Sequence, residues 1–200
     1  MLDTNIYPKI DLYTYQKEAK LKDGTKVLFR PMVAEDQGAL YEFFKAISRE
    51  EVRYLRDDVR SRLVVEKWAK NLDYGKTLPI LVLKDDVIIA DATINRRKFG
   101  WKWHLGTVRI FVHKDYRNVG LGRMILQELS HIAYRLGIEK LVAEIPEVNE
   151  SALITFKKEG FNLEACIPNM VKDRENMPMD LVVMIKNIKP PHDESYDYDF

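Results

Sequence analysis

The chain has a single cysteine, Cys166, so no internal disulfide can form. Scarcity of cysteine is typical of proteins from a reducing compartment, and we therefore expect a cytoplasmic location. Charge of one sign is also lacking, because 32 Lys and Arg residues nearly balance 31 Asp and Glu residues and leave a net charge of +1. A general nucleic-acid-binding protein usually has a marked basic excess, so no nucleic-acid partner is expected.

Long hydrophobic runs are absent as well. No apolar stretch approaches the ~20 residues that cross a bilayer, and the segment Met1–Asn5 lacks the basic region and apolar core of a signal peptide. We therefore expect no membrane partner. A length of 200 residues with 46% hydrophobic content suits one domain with tails. We predict an N-terminal extension over residues 1–23, a domain over 24–188 and an acidic, disordered tail over 189–200.

Hydrophobic periodicity predicts strands that alternate with helices. Strands are expected at 27–30, 79–83, 87–95, 105–112, 140–145 and 181–188, and helices at 35–47, 59–72, from the turn at 117–122 to about 136, and 150–159. Residues 1–23 either add a strand or hang loose. Gly137 is expected to cap the third helix in a left-handed conformation, and Asn149 to cap the start of the fourth. A strand–helix–strand crossover is right-handed, so the strands that flank the third helix should be parallel.

The most informative motif is Arg117-Asn118-Val119-Gly120-Leu121-Gly122, which reads R-x-x-G-x-G. It lies between an apolar strand and an amphipathic helix. The first N–H groups of a helix have no intrahelical partner and lie at the positive end of its dipole, and the two glycines let a ligand approach the main chain. The motif therefore predicts a phosphate-binding turn. It is neither a Walker A loop, because no Lys-Ser or Lys-Thr follows Gly122, nor a Rossmann fingerprint, because position 125 is Ile125.

The R-x-x-G-x-G turn resembles the acetyl-CoA pyrophosphate loop of the GNAT family of N-acyltransferases. Residues 149–161 resemble a second signature of that family, which is an Asn, a small residue, an aromatic residue and then Gly-Phe. Arg30-Pro31 with Glu35-Asp36 resembles the family's first strand and helix start. Within the family, residues 28–31 and 48–54 are most similar to bacterial protein-lysine acetyltransferases. The resemblance spans about residues 24–188.

The resemblance implies an α/β (α+β) fold with a mixed, splayed sheet of six or seven strands and helices on both faces. It also implies transfer of an acetyl group from acetyl-CoA to a primary amine, for example a protein lysine, by direct attack in a ternary complex. Acetyl-CoA is then the co-substrate, and no metal is expected. The acceptor is a small molecule or a protein, and a homodimer is left open. Cys166 falls beyond the second signature and is a poor candidate for a covalent nucleophile.

The resemblance also assigns the acetyl-CoA contacts. The turn amides hold the pyrophosphate, which here implies Arg117, Asn118, Val119, Gly120, Leu121 and Gly122. Pantetheine pairs with the preceding strand at Ile110, Phe111 and Val112, and the oxyanion faces a backbone N–H near Phe111. The other wall maps to Asn149, Ser151 and Phe156. Arg123 and Lys114 either add positive charge near the phosphates or are solvated charges at the helix edge.

The amine requires a base, because a lysine ammonium has a pKa of about 10.4. Several members of the family place a Glu ten residues ahead of the turn, where this chain has Thr107. Glu144 on the neighbouring parallel strand is our first candidate, Asp91 the second and His104 the third. Structural interpretations stay open for all three: an acid paired with a nearby Lys or Arg for Glu144, a partnered or wet strand charge for Asp91, and a strand-start residue for His104.

The leaving thiolate marks a second departure from the family. Many relatives carry a Tyr as general acid where this chain has Phe156, which cannot donate a proton. A thiol with a pKa of about 8.5 is already a tolerable leaving group, so activity does not require that Tyr. Loss of both the Glu and the Tyr nevertheless supports an alternative function, a catalytically weakened acyl-CoA-binding sensor.

Basic and aromatic residues alternate over residues 96–104. We interpret this segment as a hairpin whose Trp side chains pack on the sheet edge. Two alternatives are a nucleic-acid-binding surface and one wall of the acceptor cleft. The near-zero net charge leaves little long-range attraction for nucleic acid.

Overall fold

The computed structural model describes residues 10–48, 51 and 59–188. The tail predicted at 189–200 and most of the motif at 48–54 lie outside the described residues. The described part of the chain contains one mixed sheet in the order β1-β2-β3-β4-β5-β6-β8-β7. Its strands are β1 Lys17–Lys20, β2 Lys26–Pro31, β3 Thr77–Lys84, β4 Val87–Arg96, β5 Leu105–Val112, β6 Lys140–Pro146, β7 Asn162–Lys172 and β8 Pro178–Asn187.

Helices pack on both faces of this sheet, as predicted. They are α1 Gln37–Lys45, α2 Arg62–Lys70, α3 Leu121–Arg135 and α4 Glu150–Lys158. Successive side chains of a strand point to opposite faces, and β3 shows this alternation. Leu78, Ile80 and Val82 belong to the core under α3 and α4, whereas Leu81 and Leu83 belong to the core under α1 and α2.

Helix α3 carries the buried stripe that the sequence predicts. Ile125, Leu129 and Ile132 are completely buried against the sheet, and each such side chain contributes about 1.5–3 kcal/mol relative to leaving it exposed. Gly137 follows the helix at φ +70°, as expected of a left-handed cap. Strands β5 and β6, which α3 connects, are parallel, and this confirms the predicted crossover.

The described sheet has eight strands, more than the expected six or seven, because β7 was not predicted and β1 was only an open alternative. Strand β7 was missed because most of its side chains are exposed, so it lacks the alternation of a half-buried strand. Strand β1 lies within the predicted extension and pairs with β2 at the sheet edge. The extension therefore contributes an added strand, one of the two alternatives that the sequence left open.

Two predicted turns connect neighbouring antiparallel strands of the sheet. Asp85 and Asp86 have φ of +48° and +63°, values typical of a two-residue turn between antiparallel strands. Gly24 at φ +90° completes a tight turn between β1 and β2, in which the N–H of Leu21 donates to the carbonyl of Thr25 at 2.8 Å. This turn places residues 21–24 beside the motif at 117–122, as the contacts of Lys22 below demonstrate.

Candidate active site

The sheet splits between β5 and β6. The two strands pair only from Leu105 with Lys140 to Val108 with Ala143. Beyond that point residues 109–112 pair with β4 alone, and residues 144–146 pair with β8 alone. The backbone edges that face each other across the split have no strand between them, and such edges are where an extended ligand with amide groups pairs.

The motif at 117–122 lies at the mouth of this split, directly after β5. A short 3-10 turn, Lys114–Tyr116, leaves β5, and Asn118 and Gly120 then adopt positive φ of +62° and +89°. Gly120 is the N-cap of α3, and its carbonyl accepts the first intrahelical bond from the N–H of Met124 at 3.1 Å. The preceding N–H groups of the first turn have no intrahelical partner and lie at the positive end of a fifteen-residue helix.

The first turn of α3 is flanked by α4. A β-carbon on Gly122 would lie 3.8 Å from the methyl group of Thr155. Asn149 caps α4, because its side-chain oxygen accepts from the N–H of Ala152 at 3.4 Å, and the hydroxyl of Ser151 donates to the same oxygen at 3.3 Å. The start of α3 therefore lies beside the middle of α4. Asn149 and Ser151, for which the resemblance implies acetyl-CoA contacts, lie at the start of α4 as expected.

Phe156 lies in the core rather than on an open wall. It is 7% exposed, and its ring packs edge-on against Phe161 with centroids 4.9 Å apart. Its ring has no group that can protonate a leaving thiolate. Thr155, one residue earlier, uses its hydroxyl to bond the carbonyl of Ser151 at 2.8 Å.

Arg117 in the turn and Arg123 directly after it are both held by carboxylates. The Arg117 guanidinium forms an ion pair with Glu51, lies 5.7 Å from the Phe111 ring, and donates from Nε to the carbonyl of Val112 at 3.1 Å. Burial raises the pKa of Glu51, but hydrogen bonds from Ser48 and Arg117 outweigh it and hold that pKa below its usual value. Arg117 therefore links the α1–α2 connection to the end of β5.

Arg123, the other arginine, forms an ion pair with Glu159, which is 8% exposed at the end of α4. This contact joins α3 to α4 beside the turn. The sequence left open a charge near the phosphates or a solvated charge at the helix edge for Arg123, and the ion pair with Glu159 was not among these alternatives. Lys114 stands on the exposed 3-10 turn.

Glu144 occupies the first position of β6 beyond the paired region. Val142 pairs with Thr107, so the next residue on the same face of β6 is Glu144 and the next on β5 is Arg109. Glu144 is exposed, and its face of the sheet is the one that α1 and α2 cover elsewhere.

Asp91 lies on the same face but is buried. It is 3% exposed, pairs in register with Phe111, and approaches the Arg109 guanidinium at 3.7 Å. Burial raises the pKa of Asp91, and the positive charge of Arg109 opposes that shift. Arg109 in turn lies 5.6 Å from the ring of Trp68 on α2. Asp91 therefore lies buried beside β5 and has Arg109 as its structural partner.

His104 is not brought near the split. It immediately precedes β5, and its carbonyl accepts from the N–H of Glu139 at 2.9 Å. The split opens at the other end of this eight-residue strand, roughly 20 Å away at ~3.3 Å per residue. The geometry therefore gives no support to His104 as a base.

The segment at 96–104 also lies at the end of β5 away from the split. Phe99 and Trp101 are 85% and 84% exposed, and Trp101 contacts the ammonium of Lys102. The interpretation that both Trp side chains pack on the sheet edge is therefore wrong for Trp101, because most of its surface is open to solvent. The position of the segment gives no support to the alternative role as a wall of the acceptor cleft.

Sequence reasoning missed two features that surround the turn. Lys22, in the β1–β2 turn, lays its side chain along Gly120, with Cε 3.5 Å from the position of a β-carbon there. Glu128 on α3 is 1% exposed and binds both the Tyr15 hydroxyl and the Lys17 ammonium. A signal for the second was present, because an acidic residue three positions after Ile125 falls inside the apolar stripe and requires a partner.

Neither a metal site nor a membrane span is found within the described ranges. Over residues 10–48, 51 and 59–188, no three His, Cys, Asp or Glu side chains are grouped so as to hold a metal ion. Over the same residues, no helix has both the length and the apolar character that crossing a bilayer requires.

Comparison with solved structures identifies the fold. An acetyltransferase of the GNAT family from Streptococcus pneumoniae is 23% identical, covers 81% of this chain and 99% of its own, and superposes with a TM-score of 0.71. The GNAT domain of S. lividans PAT is 17% identical over 86% of this chain and 96% of its own, with a TM-score of 0.73. The yncA protein of Salmonella typhimurium, solved with its cofactor acetyl-CoA, is 20% identical over 82% and 95%, with a TM-score of 0.70.

The sequence itself matches the family over more than half of its length. Residues 39–161 match the acetyltransferase (GNAT) family, a span that includes α1, the split between β5 and β6, the turn at 117–122 and α4. Acetyl-CoA is the co-substrate of that family, and the split sheet with a helix N-terminus at its mouth fits a ligand that has both amides and a diphosphate. This chain therefore belongs to the GNAT family of acetyl-CoA-dependent acetyltransferases.

Proposed function

We propose that this protein transfers the acetyl group of acetyl-CoA to the ε-amine of a protein lysine, by direct attack in a ternary complex. The observation that carries the proposal is the exposed carboxylate of Glu144, which lies in the split at the first position of β6 beyond the pairing with β5. The carboxylate attracts a lysine ammonium and, directly or through water, accepts the proton that the amine must lose before it attacks.

The reaction then needs little more from the chain. The amine lone pair attacks the thioester carbonyl carbon, the C–N bond forms, and the C–S bond breaks with departure of the CoA thiolate. A backbone N–H of residues 110–112 stabilises the oxyanion, a role that requires no particular side chain. The amine proton passes to Glu144, and water protonates the thiolate, whose conjugate thiol has a pKa of about 8.5. Cys166 is exposed on β7 and takes no part.

A protein lysine is favoured over a small amine by the openness of the site. Glu144 is exposed, whereas an enzyme for a small amine generally encloses its substrate in a pocket. The resemblance of residues 28–31 to protein-lysine acetyltransferases points the same way. A long lysine side chain also reaches into the split while the rest of the acceptor stays outside it.

The second candidate is an acyl-CoA sensor with weakened catalysis. Two observations favour it: Thr107 occupies the place where several relatives have a Glu, and Phe156 is buried against Phe161 without a transferable proton. Both candidates require CoA binding, so turnover separates them.

The experiment measures thiol release from acetyl-CoA in the presence of lysine peptides, small primary amines and buffer alone. We expect lysine peptides to give the highest rate. Glu144→Gln should lower kcat about 100-fold or more and remove the rise in rate with pH that reflects the base, because general bases contribute about 10²–10⁴-fold. Glu164→Gln, an exposed change on β7, is the matched control and should behave like the wild type.

An unchanged pH–rate profile in Glu144→Gln would remove Glu144 as the base. Tight CoA binding without thiol release for any amine would favour the sensor. Faster release with small amines than with lysine peptides would overturn the choice of acceptor.

A further inference from the structure

The N-terminal strand β1 lies outside the matched span of 39–161, and the turn that follows it contacts Gly120 of the motif at 117–122. Its turn to β2 is fixed at both ends. Leu21 is 3% exposed in the core, its N–H donates to the carbonyl of Thr25 at 2.8 Å, and the carboxylate of Asp23 accepts from the N–H of Thr25 at 2.9 Å. Lys22 lies between these anchors, so the direction of its side chain is set by the turn.

That direction is along Gly120. Measured from the position of a β-carbon on Gly120, the Cγ, Cδ and Cε atoms of Lys22 lie at 3.7, 3.6 and 3.5 Å. The stem therefore runs beside the N-cap of α3 for its whole length. The ammonium is one bond beyond Cε, at the rim of the turn whose N–H groups face the ligand.

A second contact ties β1 to the same helix. Glu128, two turns after Gly120 on α3, is 1% exposed and binds the Tyr15 hydroxyl and the Lys17 ammonium. Burial and the neighbouring Glu128 carboxylate raise the pKa of Tyr15, so its hydroxyl stays protonated and donates the bond. Strand β1 is thus held by hydrogen bonds to β2 on one side and by side chains to α3 below.

We infer that β1 is a functional part of the acetyl-CoA site and that Lys22 provides a positive charge for the CoA diphosphate. This inference rests on the assignment of 117–122 as the diphosphate turn. Arg117 in the turn pairs with Glu51, and Arg123 directly after it pairs with Glu159, so their charge is already offset by carboxylates. Lys22 adds a cation from a part of the chain that the family match does not include.

The test compares Lys22→Met with Lys20→Met. Methionine keeps a stem of similar length and removes the charge. Lys20 is the matched control, because it lies two residues away at the end of β1, is exposed, and directs its stem to Gly24 instead. We expect Lys22→Met to raise the dissociation constant of CoA about five- to tenfold at low salt, which is the scale of one charge near two phosphates in water. Lys20→Met should leave it unchanged.

Two further measurements separate a charge contact from a structural effect. Acetyl-pantetheine has the thioester and both amides but no diphosphate, so its turnover should not differ between Lys22→Met and the wild type. The effect on CoA should shrink as salt rises, since screening weakens a solvent-exposed charge pair, and Lys22→Arg should restore most of the affinity.

Equal CoA affinity in Lys22→Met and Lys20→Met would overturn the inference while the diphosphate turn stands. An equal loss with acetyl-pantetheine would also overturn it, because the effect would then come from a disturbed fold. Failure of the wild-type chain to bind CoA would refute the diphosphate turn itself, and the inference with it.

Discussion

Replacement of Gly120 by Asp tests the diphosphate turn most directly. Gly120 has φ +89° and ψ 1°, and the nearest atoms to a β-carbon there are those of Lys22, at 3.5–3.7 Å. These are ordinary contact distances, so the fold has room for the new side chain. The main cost to folding is a left-handed backbone in an L-residue, about 1–2 kcal/mol. We expect Gly120→Asp to remain folded.

The cost to CoA binding is more specific. A diphosphate carries two negative charges, and a carboxylate roughly 5 Å from each is repelled by about 0.8 kcal/mol per pair at the dielectric constant of water. The sum of about 1.7 kcal/mol corresponds to a dissociation constant at least ~15-fold weaker. The new carboxylate would also pair with the Lys22 ammonium and withdraw that charge from the ligand. The loss is therefore a lower bound.

Two control variants isolate the cause. Gly100 has φ +87° with no atom within 4 Å of a β-carbon, and it lies at the far end of β5, so Gly100→Asp adds the same charge and similar backbone strain away from the turn. Gly120→Asn keeps the strain without the charge. Calorimetric titration with CoA should give clear weakening only in Gly120→Asp, with far-UV circular dichroism to show that all three are folded. Equal affinities in Gly120→Asp and Gly100→Asp would refute the assignment.

Two further predictions concern stability and mechanism. Asp36→Asn should lower the free energy of unfolding by about 2 kcal/mol at pH 7, because Asp36 accepts two bonds from the Arg30 guanidinium at 2.7 Å and one from the N–H of Val33 at 2.8 Å. Burial raises the pKa of Asp36, but these bonds outweigh it and hold that pKa below its usual value. Their contribution is therefore present above pH ~4 and lost as pH falls through the folded-state pKa, so urea titrations should show the gap at pH 7 and a smaller one at pH 3; a constant gap would contradict the ionic origin. Cys166→Ser should leave the rate of acetyl transfer unchanged, since the thiol is exposed and its nearest polar contact is Asp180 at 3.9 Å; loss of burst kinetics or of activity would instead indicate a covalent intermediate.

The parts of the fold that sequence predicted share one property: each depends on neighbouring residues. The stripe of Ile125, Leu129 and Ile132, the cap at Asn149 and the two-residue turn at 85–86 follow from local periodicity and local hydrogen bonding. The parallel pairing of β5 with β6 followed from a general rule of chain handedness. Strand β7 was not predicted, because an exposed strand lacks the regular alternation of apolar and polar residues.

The candidate site divides in the same way. The turn at 117–122 was predicted, because its glycines and the helix that follows them are adjacent in the sequence. The ranking of three bases was not resolved by sequence, because a strand residue's side chain faces a cleft or a core depending on register. Register places Glu144 at the split and buries Asp91 beside β5. Strand direction puts His104 at the opposite end of β5.

The sequence by itself determined the family, the glycine-containing turn between β5 and α3 and the crossover that carries it, because those features are encoded over short stretches of chain. Tertiary structure alone decided what surrounds them. It brought Lys17 to Glu128 across 111 residues and Glu51 to Arg117 across 66, and it ended the pairing of β5 and β6 after Val108. Contacts between such distant residues depend on how the sheet twists and packs, and no local pattern of residue types specifies them.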